Sequence, residues 1–566
     1  MHYSNSWRQF YAAIIVSLGS FNLGLSLAWS NPASEYLKDI FKKEEVTWII
    51  SIFTLGAFAG AIVGGVSLRT VGRKLTIMFL SGTAAVSWIG LRFSENSFVL
   101  MLAMRFIIGF AGGGFSVSVP VYIGEIASPE RRGRLGSFVS LLLIFGVNGS
   151  FLIGLFAHWS YICYAGAFIQ LILFVIMLCQ LPESPVFLDL HNKVTQMKEV
   201  QEWLGHCACP DCVKSPLRKS LFLFASSNIP VLFVKDPKKK GIQQEGNDKN
   251  SSSKFKKQAS KTSVASLPYT KQEVMEKIQL KFKWILGKEA VLRYEGDPEN
   301  ELCVLEIEDD LNLMRDIRSR ELLVPIGILL SIMFIYEFSG VSVMSMTASR
   351  IYQEVGDALP VEPNVATFIS VGLVQLINAF IAGGIVDKLG RRILLLTGAI
   401  FMGLSTATLG GFFYLKDIMS MDEQLPGIVW MALVACFCFQ FSFSLSFGPV
   451  TWIIFAELFP SKYRGYASMV ASSKWIFSFI TVSLFPILSE KWSTCTVFWL
   501  MSGVAILGSG LLAWKLPETK GLSQLDIDNL FKVDKPSPNS KEINTSNNSV
   551  STTSTTLANT NGEITS

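Results

Sequence analysis

Two ionisable residues stand inside long apolar stretches: Glu337 in a run that begins near residue 322, and Lys474 in one that begins near residue 466. A charge at that depth in hydrocarbon costs about 2.5–3.5 kcal/mol on insertion scales, so a lone one needs a partner or a role. A second set of charges lies at the ends of apolar runs. Arg73, Lys74, Glu125 and Arg132 belong to the first part of the chain, and Asp387, Arg391, Arg392, Glu457 and Arg464 to the second. Partly dehydrated ion pairs of this kind bias one conformation and release when it opens, whereas under the plainer reading the arginines only fix topology. The acidic partners at matched spacing favour a switch, in which the pairs bridge two halves of the molecule. Covalent chemistry has little support. There are four histidines, no HExxH, no P-loop and no Ser-His-Asp order, so no enzyme activity and no cofactor are expected. Gly109, Gly112, Gly113 and Gly114 fall inside an apolar run and cannot form a nucleotide loop; Arg105, Gly109 and Gly113 at four-residue spacing make a face for close helix packing, and Arg105 joins the candidate gating set. His206, Cys207, Cys209 and Cys212 have ligand chemistry but match no zinc spacing, so no metal is expected, and the nine cysteines give no disulfide framework.

The elements that must hold these residues are set by composition. Half of the 566 residues are hydrophobic and 16% are charged, with a positive mean hydropathy. The apolar residues come in runs of about twenty, the length a helix needs to cross hydrocarbon while satisfying its own backbone. Spans are expected near 11–29, 47–68, 75–92, 98–123, 135–157, 160–181, 322–347, 364–386, 393–415, 427–456, 466–488 and 494–516. An even number places both termini on one side. The basic turns after spans 2, 4, 8 and 10 make that side cytoplasmic, and no cleavable leader precedes the first span. The two halves also match in register. Val71-Gly72-Arg73-Lys74 answers to Leu389-Gly390-Arg391-Arg392, Glu125 with Arg132-Gly133 to Glu457 with Arg464-Gly465, and Leu181-Pro182-Glu183-Ser184 to Leu516-Pro517-Glu518-Thr519. Three matches in order imply a duplicated six-helix unit, whose copies rock about a site near the bilayer midplane.

The same segments resemble the sugar porter family of the major facilitator superfamily over nearly all of residues 10–530 except the middle loop. The resemblance rests on Pro120-Val121-Tyr122-Ile123-Gly124-Glu125-Ile126 with Arg132-Gly133, Pro182-Glu183-Ser184-Pro185, Gly448-Pro449-Val450-Thr451-Trp452 with Glu457-Leu458-Phe459-Pro460, and Pro517-Glu518-Thr519-Lys520-Gly521. Leu27-Ala28-Trp29-Ser30-Asn31-Pro32-Ala33 is similar to the branch of insect facilitated trehalose transporters. The resemblance implies an all-α fold of twelve transmembrane helices in two six-helix bundles, and polar side chains at the centre that hold sugar hydroxyls. Several of those side chains differ here. Ser140 stands for the usual Gln of span 5, Tyr336 and Glu337 for two Gln, Ser342 for an Asn, Met346 and Thr347 for two aromatics, and Lys474 for the Asn before Trp475. Arg69 replaces an Asp kept in the second half as Asp387, and Val186 replaces an Arg. Because Glu337 and Lys474 both take positions that face the family's cavity, they are expected to pair across the site, unless each reaches water or a backbone group separately. Trp452, beside the Gly448-Pro449 break, suits the apolar face of a sugar ring, although simple packing is the alternative. Asn22 stands where proton-coupled relatives often carry Asp, which favours facilitated diffusion, while Glu337 reopens the question as a carboxyl able to titrate.

The chain divides into an N-terminus (1–10), a first bundle (11–189), a long loop (190–321), a second bundle (322–516) and a tail (517–566). In the loop, 235–261 is basic and expected to be disordered, with anionic-lipid contact as one reading and a solvated linker as the other; 271–286 and 301–321 have helical character. The expected partners are a small polar solute and the bilayer, with no nucleic acid and with the plasma membrane as location. Facilitated transport of trehalose or a hexose leads. A carrier of a non-sugar solute and a transporter-like sensor with little turnover stay open.

Overall fold

A computed structural model of the chain describes residues 7–128, 130–191, 193–205, 232–235, 293–295, 302–306, 320–355, 361–418, 425–458 and 464–518. Its architecture follows from backbone satisfaction in an apolar medium: each apolar run closes its own hydrogen bonds as a helix. Among the described residues eleven helices are long and apolar enough to cross a membrane, and the shorter Leu322–Phe338 supplies the twelfth. Spans 1 to 6 are Trp7–Ala28, Lys43–Thr70, Arg73–Arg92, Phe98–Ile126, Arg132–Phe156 and Ser160–Cys179. Span 7 starts at Arg320 and span 8 at Pro363, and spans 9, 11 and 12 are Arg391–Ile418, Arg464–Trp492 and Thr494–Lys515. Span 10 runs from Leu425 to Leu458.

Three of these spans are irregular. Span 7 is helical over Arg320–Phe338, breaks at Ser339-Gly340 where Gly340 takes φ +98°, and resumes as Val341–Met346 and Ala348–Val355. Span 8 carries a π-helical turn at Phe368–Leu373. Span 10 divides at Ser446 into Leu425–Leu445 and Phe447–Leu458, since Pro449 has no N–H to give Leu445. Short helices Pro185–Leu190 and Val194–Trp203 follow span 6, docked on the first bundle where Gln9 donates to the Leu204 carbonyl at 3.0 Å. Strands β1 (Leu232–Lys235), β2 (Arg293–Glu295) and β3 (Leu302–Glu306) pair antiparallel in the order β1-β3-β2. The helical character expected over 301–321 thus gives way to strand at 302–306, where Val304 and Leu305 gain ladder partners on two sides. Segment 271–286, the cluster from His206 to Cys212, and residues 236–261 of the basic stretch lie outside the described residues.

Within each half, glycines let backbones approach. A Cβ on Gly109 would sit 2.0 Å from the Phe53 carbonyl oxygen, and one on Gly113 would sit 1.9 Å from that of Ala57, so the small-residue face of span 4 lies directly on span 2. Each half builds its own apolar core, and a few residues cross over. Met346, Trp475 and Val482 pack into the first half's core, and Ala28, Val147 and Phe151 pack into the second's.

Candidate functional site

The duplicated motifs converge on one cluster in each half. In the first, Arg73 gripping Glu125 forms two hydrogen bonds, Nε to Oε2 at 2.9 Å and Nη2 to Oε1 at 2.7 Å, and Ser184 also donates to Glu125. Glu183 Oε1 accepts the backbone N–H groups of Arg73 (3.0 Å) and Lys74 (3.1 Å), so a carboxylate caps the orphan donors that open span 3. The second half repeats this. Arg391 donates to Glu457 at 3.1 Å, and Glu518 accepts from the backbone of Arg391 (3.0 Å) and Arg392 (3.1 Å). Gly72 (φ +108°) and Gly390 (φ +90°) make the turns that present those N–H groups, a region where other residues are strained. The pairs of Arg73 with Glu125 and Arg391 with Glu457 therefore close within halves, whereas their matched spacing had pointed to pairs bridging the halves. Spacing fixes which residues share an end, while the partner is chosen by the short reach from one span to its bundle neighbour. Lys74 donates its ammonium to the Leu178 carbonyl at 3.3 Å, also within the half. Arg132 is exposed where span 5 starts, Asp387 lies near the end of span 8, and Arg464 begins span 11.

Arg105 lies toward the other end of span 4. Fully buried, its guanidinium donates to the carbonyls of Ser26 and Ile49, each at 3.3 Å, and stacks over Trp29 at 4.4 Å and Phe53 at 4.9 Å. It therefore ties spans 1, 2 and 4 together. Asn22 accepts from Trp88 Nε1 at 2.7 Å, which uses its oxygen inside the same bundle.

At the end away from the Arg73 and Arg391 turns, the halves do meet. Asn31 donates to the Ser345 carbonyl at 2.8 Å and accepts from the Ser349 N–H at 3.1 Å, and Ser30 donates to the Met346 carbonyl at 3.0 Å. Asn364 adds a bond to Glu35 at 2.9 Å, and Lys43 lies 3.6 Å from Glu490. The bonds of Asn31 and Ser30 grip broken span 7 beyond Gly340, and sequence reasoning did not single out any of these contacts as joining the halves. The signal was available in Asn31, a polar amide in an apolar segment whose side chain needs partners once buried.

Four of the predicted cavity residues come together at the break in span 7. Lys474 Nζ lies 3.3 Å from Glu337 Oε1. Ser342 donates to Glu337 Oε2 at 2.6 Å, and Ser478, not anticipated, donates to Ser342 at 2.7 Å. The ammonium lies 5.2 Å from the centre of the Tyr336 ring and 4.2 Å from that of Trp475. Trp475 in turn meets Phe53 of the first half edge-on at 6.4 Å. The ring of Tyr336 packs on Phe443 and Phe447 at the break of span 10. Ser140 and Trp452 stand apart from this cluster: Ser140 is exposed on span 5, and Trp452 lies past the break in span 10, 41% exposed, with its ring 6.2 Å from that of Phe455.

With this geometry in view, the sequence profile of the sugar (and other) transporter family matches residues 10–212 and 286–531. The chain belongs to this family. It is 28% identical over 529 residues to the facilitated trehalose transporter Tret1 of Aedes aegypti, covering 92% of this chain and 55% of that relative. It is 29% identical over 531 residues to Tret1 of Bombyx mori, covering 92% of this chain and 86% of the relative. The chain thus spans little more than half the length of some curated relatives that it matches. Among solved structures, the inward open xylose transporter XylE from E. coli aligns with a TM-score of 0.63 at 19% identity, over 93% of this chain and all of that one. A partially occluded inward open form of XylE aligns at 0.60. The fold is that of a major facilitator sugar porter, a multi-pass membrane protein of two six-helix bundles.

Proposed function

We propose that the chain carries a sugar, trehalose or a hexose, across a membrane by facilitated alternating access. The observation that carries this reading is an asymmetry of closure. Asn31, Ser30 and Glu35 join the halves at one end, whereas at the other the ion pairs seen among the described residues, Arg73 with Glu125 and Arg391 with Glu457, each lie within one half. Two stiff bundles joined at one end and separable at the other are the parts that rocking requires. The family and the printed activity of the Tret1 relatives support the same class of solute. By the positive-inside rule the basic end is cytoplasmic, along with both termini, in the plasma membrane. The basic stretch at 235–261 then lies beside the anionic leaflet and contacts it.

In this reading Arg73, Lys74, Arg105, Glu125, Arg132, Asp387, Arg391, Arg392, Glu457 and Arg464 are the gating set: the clusters make each half move as one body. Ser140, Tyr336, Glu337, Ser342, Trp452 and Lys474 are the candidate solute-site residues, with Lys474 presented ahead of the covered Glu337 and with Ser140 and Trp452 lying apart on spans 5 and 10. Uptake of labelled trehalose, glucose and fructose into oocytes, with surface expression measured alongside, tests this. Saturable uptake of one of them, severely reduced by Trp452→Ala at equal surface expression, is the expected outcome. No uptake of any of the three at normal surface expression overturns this choice of solute and leaves a carrier of another solute or a transporter-like sensor with little turnover.

A further inference from the structure

The Glu337–Lys474 pair is lopsided. Glu337 is completely buried, and Ser342 holds its Oε2 while Oε1 faces the ammonium. Lys474 keeps 10% of its side chain accessible, and among the described residues its ammonium has one carboxylate oxygen and two ring faces for company. An ammonium has three donors, so this one has bonds left to make. A solute arriving at the dyad therefore meets an unsaturated cation, and the carboxylate behind it is covered. Positive groups have nothing to bind there; an oxyanion does.

We propose that Lys474 is an anion-accepting subsite, and that the chain carries a sugar bearing one carboxylate, such as a hexuronate, together with one proton. The inference rests on the carrier reading above. On binding, the solute carboxylate takes Lys474 from Glu337, which is left with the Ser342 hydroxyl alone. A carboxylate stranded in that setting is neutralised by a proton from the water of the open side. Charge and atoms balance: one anion and one proton enter, one ion pair is exchanged for another, and Glu337 becomes a carboxylic acid. Releasing the solute on the far side restores the original pair and returns the proton there. Among the described residues, the charged and titratable groups beside Glu337 are Lys474 on span 11 and the Tyr336 phenol on its own helix; the Tyr336 ring packs on Phe443 and Phe447 of span 10, and span 12 contributes Met501 beside Gly340. None of these described groups is a second carboxylate that could take the proton instead. A neutral sugar leaves the pair intact and moves without a proton.

Uptake of labelled glucuronate and glucose into oocytes under voltage clamp, at about pH 5.5 and about pH 7.5 outside, tests the proposal. Glucuronate uptake should rise several-fold at the lower pH without current, while glucose uptake stays level. Glu337→Gln, which mimics the protonated acid, should flatten the pH dependence of glucuronate uptake. The neutral double variant E337Q/K474M, which strands no charge, should lose glucuronate uptake at normal surface expression. Glucose uptake without glucuronate uptake overturns the subsite and leaves the carrier reading standing. Glucuronate uptake that is indifferent to pH, or that carries current, overturns the proton. Absence of uptake for both sugars at normal surface expression overturns the carrier reading and this inference with it.

Discussion

Removing Lys474 alone strands the buried Glu337 with the Ser342 hydroxyl as its remaining partner among the described residues, and breaking a buried pair from one side costs about 3–5 kcal/mol. Reversing both charges keeps a pair. Glu337→Lys and Lys474→Glu as single changes should each strongly reduce the amount of folded protein at the surface, and E337K/K474E should recover a clear part of it. Surface biotinylation of the three variants gives the comparison, and a double variant no better than either single shows that the charges are satisfied separately. At this scale the sequence was informative, because an ionisable residue inside an apolar run is conspicuous. Ser478 was not, because a serine in a membrane helix usually bonds its own backbone, and only the turn of span 11 brings it to Ser342.

Elements were legible for a different reason. Length and hydropathy locate a helix within a few residues, and all the expected spans coincide with helices. Hydropathy does not register the interruptions. Val341–Met346 is as apolar as the helix before it, and the break depends on Gly340 adopting φ +98° and on what grips the segment beyond. The grip is Asn31, which spans both the Ser345 carbonyl and the Ser349 N–H. Its loss takes two hydrogen bonds from the joined end and leaves a buried carbonyl and N–H to find water, at roughly 1–3 kcal/mol per group. Asn31→Ala should therefore favour opening at that end. A cysteine introduced at Ile50, which lines a cavity of about 410 Å³ with Ser34 and Arg350, is the reporter. Its labelling by an impermeant maleimide should run several-fold faster in the Asn31→Ala background. Equal rates would mean that Asn31 packs without latching.

For the whole molecule, the repeat was visible in the sequence, and its matched charges pointed to pairs that bridge the halves, which the structure does not show among the described residues. Identical spacing in both halves is compatible with pairs across the halves or within them, because it records duplication and not docking. In the structure Arg73 pairs with Glu125 at 2.7 Å and Arg391 with Glu457 at 3.1 Å, and the backbone N–H of each arginine is capped by the same half's Glu183 or Glu518. Charges paired in this way lend each bundle rigidity at the end where, in the proposed reading, the bundles part. This has an energetic signature. Sites that share no partners add in their effects on stability to within about 0.5 kcal/mol, whereas members of one network couple by more. Glu125→Gln and Glu457→Gln should each lower the thermal stability of the detergent-purified protein, and the double variant should fall by the sum of the two. Coupling well beyond that margin would mean that the clusters touch in the dominant state, and that the halves are held together at both ends.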